Sequence, residues 1–279
     1  MPPDGAAGPP RPRTDPGPRT FRKARAGATD GFFACEAAGL EWLRVPGGPR
    51  VVEVRGVDRE HLDLERLEPA AGHSGPTEDA ARALGERLAV LHTTPAPARG
   101  APPAGWTGDA FFGPLGDPLP LPTGAWPTWG AFYAEARLRA VAQQGHTRGA
   151  LSSDERDALH RLADEVERVR DDGRRPGRVH GDLWSGNVVW TADGAVLIDP
   201  AAHGGDGESD LAMLALFGAP HLDALVAAYD AVSRPRPGRA GRVRLHQVYP
   251  VAVHAVLFGG AYHAHLARLL ADLAARPAR

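Results

Sequence analysis

Cysteine is almost absent from this chain: among 279 residues only Cys35 carries a thiol. That excludes an internal disulfide and a cysteine-based zinc site, and it fits a reducing, cytoplasmic setting. Long apolar runs are missing too, so no stretch reaches the length of a membrane span. The N-terminus is rich in Pro, Gly and Arg and lacks the apolar core of a signal peptide. Nor is there an excess of either charge. Lys and Arg number 32 against 34 Asp and Glu, a formal net charge of −2, which gives no reason to expect nucleic acid or an anionic membrane as a partner. What is plentiful is Gly and Pro, 34 and 27 residues, concentrated between the periodic segments. Hydrophobic residues make up 43%, enough for a sizeable core, and the length suits one large domain or a small lobe joined to a larger one. Oligomeric state is not legible at this level.

Residues 1–18 carry prolines at seven positions and almost nothing to bury, and read as a disordered arm. Residues 20–24 form a strand candidate that places Phe21 and Lys23 on one face. From Gly31 onward Phe32, Cys35, Ala38, Leu40 and Leu43 recur at near-helical spacing, with Glu36 among them. Residues 51–54 and the alternating 61–67 are further strand candidates. Beyond a loop the chain becomes mainly helical. Thr77 is a candidate N-cap for a helix striped by Ala81, Leu84, Leu88 and Leu91, and Ser152 to Glu155 form a capping box that opens a helix through Val169. Residues 93–127 are a long Pro/Gly-rich connection holding Trp106, Phe111, Phe112 and Trp126, which marks it as pinned to the surface or functional. Short helices are expected over 211–217 and 222–232, and one or two longer ones over 243–275. The predicted architecture is α+β and bilobal. It consists of the arm, a small mixed lobe over 19–70 ending in a hinge, and a larger helical lobe over 71–279 with an embedded hairpin.

That hairpin carries the chemistry. The string His180-Gly181-Asp182-Leu183-Trp184-Ser185-Gly186-Asn187 is followed twelve residues later by Asp199-Pro200-Ala201. Residues 188–190 and 195–198 are β-prone, and Asp193-Gly194 between them is a strong turn signal. A turn there brings Asn187 back opposite Asp199, so two hard oxygen ligands face one site, a donor set that suits Mg²⁺. Asp182 lies just before the first strand, placed to orient a substrate hydroxyl and accept its proton. Protein kinases use this spacing for phosphoryl transfer. Turn chemistry alone is the plainer reading of an Asp-Gly pair, but it does not account for Asn187 and Asp199 at these intervals. Lys23 on a strand and Glu36 on the next helix could steady the nucleotide phosphates; a surface lysine and a solvated glutamate are the ordinary alternative. His180 reads as a brace for the loop. Glu208 and Asp210 read first as helix caps, and Asp210 could instead reach back to hold the loop's backbone. His254 reads as a packed core residue, not a metal ligand.

With these motifs in place, the chain resembles the fructosamine kinase (ketosamine-3-kinase) family, a branch of the aminoglycoside-phosphotransferase-like, protein-kinase-like superfamily. The resemblance runs from about Phe21 to Ala275. It rests on Trp184 within the His180–Asn187 string and on Asp199-Pro200-Ala201. Further matches are Leu84-Gly85 with Leu91-His92, Gly108 to Gly113, Trp129 with Phe132 and Arg137-Leu138, Glu208 with Asp210 to Met213, and Phe258-Gly259-Gly260 with Tyr262. The resemblance implies ATP and Mg²⁺ as cofactors, Lys23 and Glu36 as the ATP-positioning pair, and Glu65 to Leu67 as the adenine-contacting hinge. It further implies Asp182 as the base, Asn187 and Asp199 as Mg²⁺ ligands, and Trp184 as a ring that packs on the sugar. The implied reaction is phosphorylation of the sugar 3-hydroxyl of a ketosamine, either a small molecule or a glycated protein lysine. Two departures stand out. Gly205-Asp206-Gly207 replaces the family's Gly-His-Arg and removes a cation. The family's Gly-rich phosphate loop before the lysine strand is not evident either, and the expectation is a gene start further upstream. The rival readings are an aminoglycoside or other hydroxyl kinase, and a pseudokinase without turnover.

Overall fold

A computed structural model describes residues 19–70, 75–169 and 173–275. The arm expected over residues 1–18 lies outside them. The first elements are β1 (Thr20–Ala24), α1 (Phe32–Leu43), β2 (Arg50–Val51), β3 (Val54–Val57) and β4 (His61–Glu65). Strand β4 lies between β1 and β3 in an antiparallel sheet, with Thr20 opposite Glu65 and a bulge between Val54 and Gly56. Helix α1 lays Phe33, Leu40 and Leu43 against Leu62 and Leu64 of that sheet.

The single strand expected over 51–54 is in fact split. Val54 stays with the small sheet, whereas Val51 pairs in parallel with Leu197, far along the chain. Helix α2 (Glu78–Thr93) starts where expected, with the Thr77 hydroxyl accepting from the Ala80 amide at 3.2 Å. The long connection then folds a small hairpin of its own, β5 (Ala110–Phe112) against β6 (Leu119–Leu121).

The helical lobe follows. A nearly continuous helix comprises α3 (Trp129–Tyr133), a π-helical turn (Ala134–Arg139) and α4 (Ala140–Thr147). Helix α5 (Ser153–Glu167) opens on the expected capping box and ends two residues short of the expected Val169. After β7 (Gly177–Val179) comes the hairpin of β8 (Val188–Thr191) and β9 (Gly194–Leu197). Strand β10 (His203–Gly205) then pairs with β7. The chain closes with α6 (Glu208–Phe217), α7 (Leu222–Val232), α8 (Arg239–Phe258) and α9 (Ala261–Ala274).

Two cores result. One joins α1 and the small sheet to α2, α7 and the catalytic hairpin; the other fills the space among α3, α4, α5, α8 and α9. Among the described residues no helix is long and apolar enough to cross a membrane.

Candidate active site

The turn of the β8–β9 hairpin sets the site. Val188 pairs with Leu197, so the residues just beyond, Asn187 and Ile198, meet at its open end, and the Ile198 amide donates to the Asn187 carbonyl at 3.1 Å. Asn187 turns its Nδ2 group toward Asp182, donating to the Asp182 carbonyl at 2.8 Å and to its Oδ2 at 3.1 Å. With Nδ2 as the donor to Asp182, the amide oxygen is left available to a cation. Asp199 has φ of 53°, a left-handed backbone that a non-glycine residue adopts at a cost and that is found where structure over-determines it. Its carboxylate reaches Lys23, whose Nζ lies 3.2 Å from Asp199 Oδ1 and 2.8 and 3.0 Å from the two Glu36 oxygens.

These five residues, Lys23, Glu36, Asp182, Asn187 and Asp199, line one cleft of about 210 Å³. Glu65 and Leu67 are not among its lining residues: Glu65 pairs with Arg50 at 2.7 Å, and Leu67 packs on the core beneath the small sheet. Trp184 also stands outside, 39% exposed, with its ring edge-on to Phe217 at 5.9 Å. From there His254, Phe258 and Tyr262 continue a row of rings. The opposite wall was not specified by the motif. Pro103 and the β5 residues Phe111 and Phe112 form it, together with Cys35 of α1. The signal was the paired phenylalanines inside a glycine-bounded loop.

Beneath the cleft, Asp210 is fully buried and organises the loop. Its two oxygens accept from the His180 amide at 2.7 Å and the Gly181 amide at 2.9 Å, and His92 Nε2 lies 3.0 Å away. Burial works to raise the Asp210 carboxyl, but the His92 hydrogen bond and the loop amides outweigh it and hold it low. His180 spans the hairpin, with Nε2 2.9 Å from the Ile198 carbonyl and Nδ1 accepting from the Asp182 amide at 3.3 Å. Gly181 has φ of 82°, and a Cβ there would lie 2.2 Å from the Ala201 carbonyl, so no other residue fits.

Glu208 does not cap α6 as expected. Its carboxylate is bound by Arg236 at 2.8 Å and by Arg242 at 2.8 Å. The Gly205-Asp206-Gly207 departure has local contacts of its own: Asp206 pairs with Arg236 at 2.5 Å, and the His92 ring occupies the space a side chain at 207 would need. Asp206, Glu208 and His246 have metal-ligand chemistry, but the guanidinium groups of Arg236 and Arg242 already neutralise the carboxylates.

The cleft is short of positive charge. Burial, with the nearby Asp199 and Asp210 charges, pushes the Asp182 carboxyl up to about 8 against the opposing hydrogen bond from Asn187. Burial likewise pushes Glu36 up to about 7 despite Lys23. A divalent cation beside Asn187 and Asp199 would relieve that imbalance, and an amide oxygen with a carboxylate is a donor set that suits a hard cation.

The family model for fructosamine kinases matches residues 14–276. The chain belongs to the fructosamine kinase family. A candidate fructosamine-3-kinase structure from Thermobifida fusca superposes with a TM-score of 0.80 at 41% identity, covering 91% of this chain and 86% of its own. A Synechocystis protein described as a probable ketoamine kinase is 32% identical over 246 residues, spanning 86% of this chain and 77% of that protein. A choline/ethanolamine kinase family protein from Mesorhizobium loti shares the fold at a TM-score of 0.57 and 16% identity, covering 92% of this chain and 82% of its own. The chain is therefore a phosphotransferase with an alcohol acceptor, built on the protein-kinase-like α+β fold. Membership in this kinase family implies ATP as a substrate, and typically a divalent metal.

Proposed function

We propose that this fructosamine kinase family member transfers the γ-phosphoryl group of ATP to the 3-hydroxyl of a ketosamine sugar, with Mg²⁺ as the metal. The observation that carries this reading is the convergence of Lys23, Glu36, Asp182, Asn187 and Asp199 on one cleft. Lys23, fixed by Glu36, binds nucleotide phosphate. Asn187 and Asp199 hold Mg²⁺, which neutralises phosphate charge when bound. Asp182 orients the attacking hydroxyl and takes its proton; a loose phosphoryl-transfer transition state asks little base strength of it. Asp210 and His180 keep the loop in position. Glu65 and Leu67 sit at the strand end that would meet the adenine, and Trp184 offers a flat face beside the acceptor. The acceptor is a small ketosamine or a glycated lysine within a reducing cytoplasm.

The test is phosphate transfer from ATP to a fructosamine or ribulosamine with and without Mg²⁺, beside an aminoglycoside panel. The expected result is Mg²⁺-dependent ketosamine phosphorylation that Asp182→Ala lowers by about a thousand-fold or more. Turnover only on aminoglycosides, or ketosamine turnover insensitive to Asp182→Ala, would refute it.

A further inference from the structure

Behind the catalytic loop lies a cavity of about 30 Å³, lined by Arg137, His246, His203, Asp206, Tyr133 and Gly181 among others. Arg137 comes from the π-helical turn, an irregularity often found at functional sites. The residue is 2% exposed. Its Nη1 donates to the Ala136 carbonyl at 2.8 Å and the Pro122 carbonyl at 3.2 Å. Its guanidinium lies over the Phe132 ring at 4.5 Å and the Tyr249 ring at 5.5 Å. No carboxylate pairs with it among the described residues, and Nη2 has no hydrogen-bond partner there. The two ring nitrogens of His246, also buried, are likewise without partners; Nε2 is 3.6 Å from Glu208, too far for a hydrogen bond.

A buried cation without a counter-ion is unfavourable, and the unpartnered N–H groups on Arg137 Nη2 suit a carboxylate oxygen. Of the other titratable groups facing the cavity, Asp206 is neutralised by Arg236. His203 is neutral at ordinary pH, because burial and the Arg137 charge hold it down at about 3. The cavity therefore presents net positive charge and free donors. Its small volume, about 30 Å³, suits a small anionic head.

Its place ties it to the acceptor. Gly181 lines it and directly precedes Asp182. Tyr249 lines it too, and meets Phe112 of the catalytic cleft edge-on at 5.7 Å. Tyr249 thus belongs to the cavity and touches a residue of the cleft wall.

We propose that the Arg137 cavity is a carboxylate subsite, and that the preferred acceptor is a ketosamine formed on the amine of an α-amino acid and still bearing its acid group. In such a molecule the carboxylate is attached to the carbon beside the amine nitrogen, so sugar hydroxyl and acid belong to one compact ligand. This rests on the ketosamine kinase reading above, and the experiment separates the two. The first arm compares kcat/KM for fructosyl-glycine with that for fructosyl-methylamine, which lacks only the carboxylate. The native protein is expected to favour the acid by about ten- to a hundred-fold, the range of a charge-assisted hydrogen bond, chiefly through KM. Arg137→Met should bring the ratio near one. A ratio near one in the native protein overturns the acceptor assignment.

The second arm needs no turnover and asks whether acetate raises the Tm saturably in the native protein but not in Arg137→Met. If neither ketosamine is phosphorylated, the kinase reading fails and this arm judges the subsite alone. Saturation with acetate beside a substrate ratio of one assigns the site to a free carboxylate and overturns the acceptor role. An equal response to chloride, or none to acetate, overturns the subsite. Should Arg137→Met not fold, the native substrate ratio and the acetate–chloride comparison still decide.

Discussion

Lys23 is the only lysine in the chain; every other Lys/Arg position is an arginine. In a sequence that uses arginine so consistently, one retained ammonium is informative. The geometry supplies a reason. Nζ sits between Glu36 and Asp199 as a compact point charge, with three contacts between 2.8 and 3.2 Å, where a planar guanidinium cannot be accommodated equally. Lys23→Arg should therefore lower kcat/KM for ATP by on the order of a hundred-fold while keeping the charge, and steady-state kinetics at varied ATP would show it. A loss below about threefold would mean that charge alone matters there.

His203 supports a different prediction. An unfolded histidine takes up a proton below about pH 6.5, whereas buried His203 stays neutral down to about 3. Between those values the unfolded state binds more protons, so stability falls on acidification across that window. Asn at 203 can reproduce the Nδ1 donor to the Ala201 carbonyl, 2.9 Å away. His203→Asn should lessen the decline by up to about 1.4 kcal/mol per pH unit, read from urea midpoints at several pH values. Parallel curves for the two proteins would contradict the assignment.

Elements whose signals are local were legible in the sequence. The capping box at Ser152, the Thr77 cap and the Asp193-Gly194 turn each depend on neighbours a few residues away, and each element begins where its signal stands. The two halves of the site across the β8–β9 hairpin followed from that turn. What was not legible depends on distant partners. Nothing near Val51 announces that it pairs with Leu197, so β2 and β3 merged into one expected strand. The three-residue strands β5 and β6 were hidden among prolines and glycines, although β5 walls the cleft. Arg137 was marked only by its place in the family match with Leu138, and nothing near it announced its burial, which is set by rings from α3 and α8.

The crossing of α2 and α7 is equally non-local. A Cβ at Gly85 would lie 2.1 Å from the Leu225 carbonyl oxygen, a backbone atom that cannot swing away. In an exposed helix Gly→Ala gains up to about 1 kcal/mol. Here overpacking should win, and Gly85→Ala is expected to destabilise the protein by about 1–3 kcal/mol net of that gain. An unchanged or higher Tm would show that the two helices can part cheaply.

For the molecule as a whole, the question is whether its two lobes fold as separate units. Three connections argue against independence. Strand β2 of the small lobe is hydrogen-bonded to β9 of the catalytic hairpin. Arg178, ahead of the catalytic loop, donates to the Trp42 carbonyl at 2.6 Å and lies over its ring at 5.0 Å. The first core is also shared, with Phe33, Leu40 and Leu62 joining Leu88, Leu183 and Leu197 at 0–1% exposure. Melting the small lobe alone would expose those helical-lobe side chains, and burying a leucine-sized side chain is worth about 1.5–3 kcal/mol. A partly unfolded state would forfeit several such contributions at once. Calorimetry should therefore give one transition, with the calorimetric enthalpy equal to the van't Hoff enthalpy. Arg178→Ala should move that single peak to lower temperature without splitting it, since the strand pairing and the shared core remain. Two resolved peaks in the native protein would mean that the lobes are joined only mechanically, and that the Lys23–Glu36 pair and the Asp182 loop are held together by ligand and not by the fold.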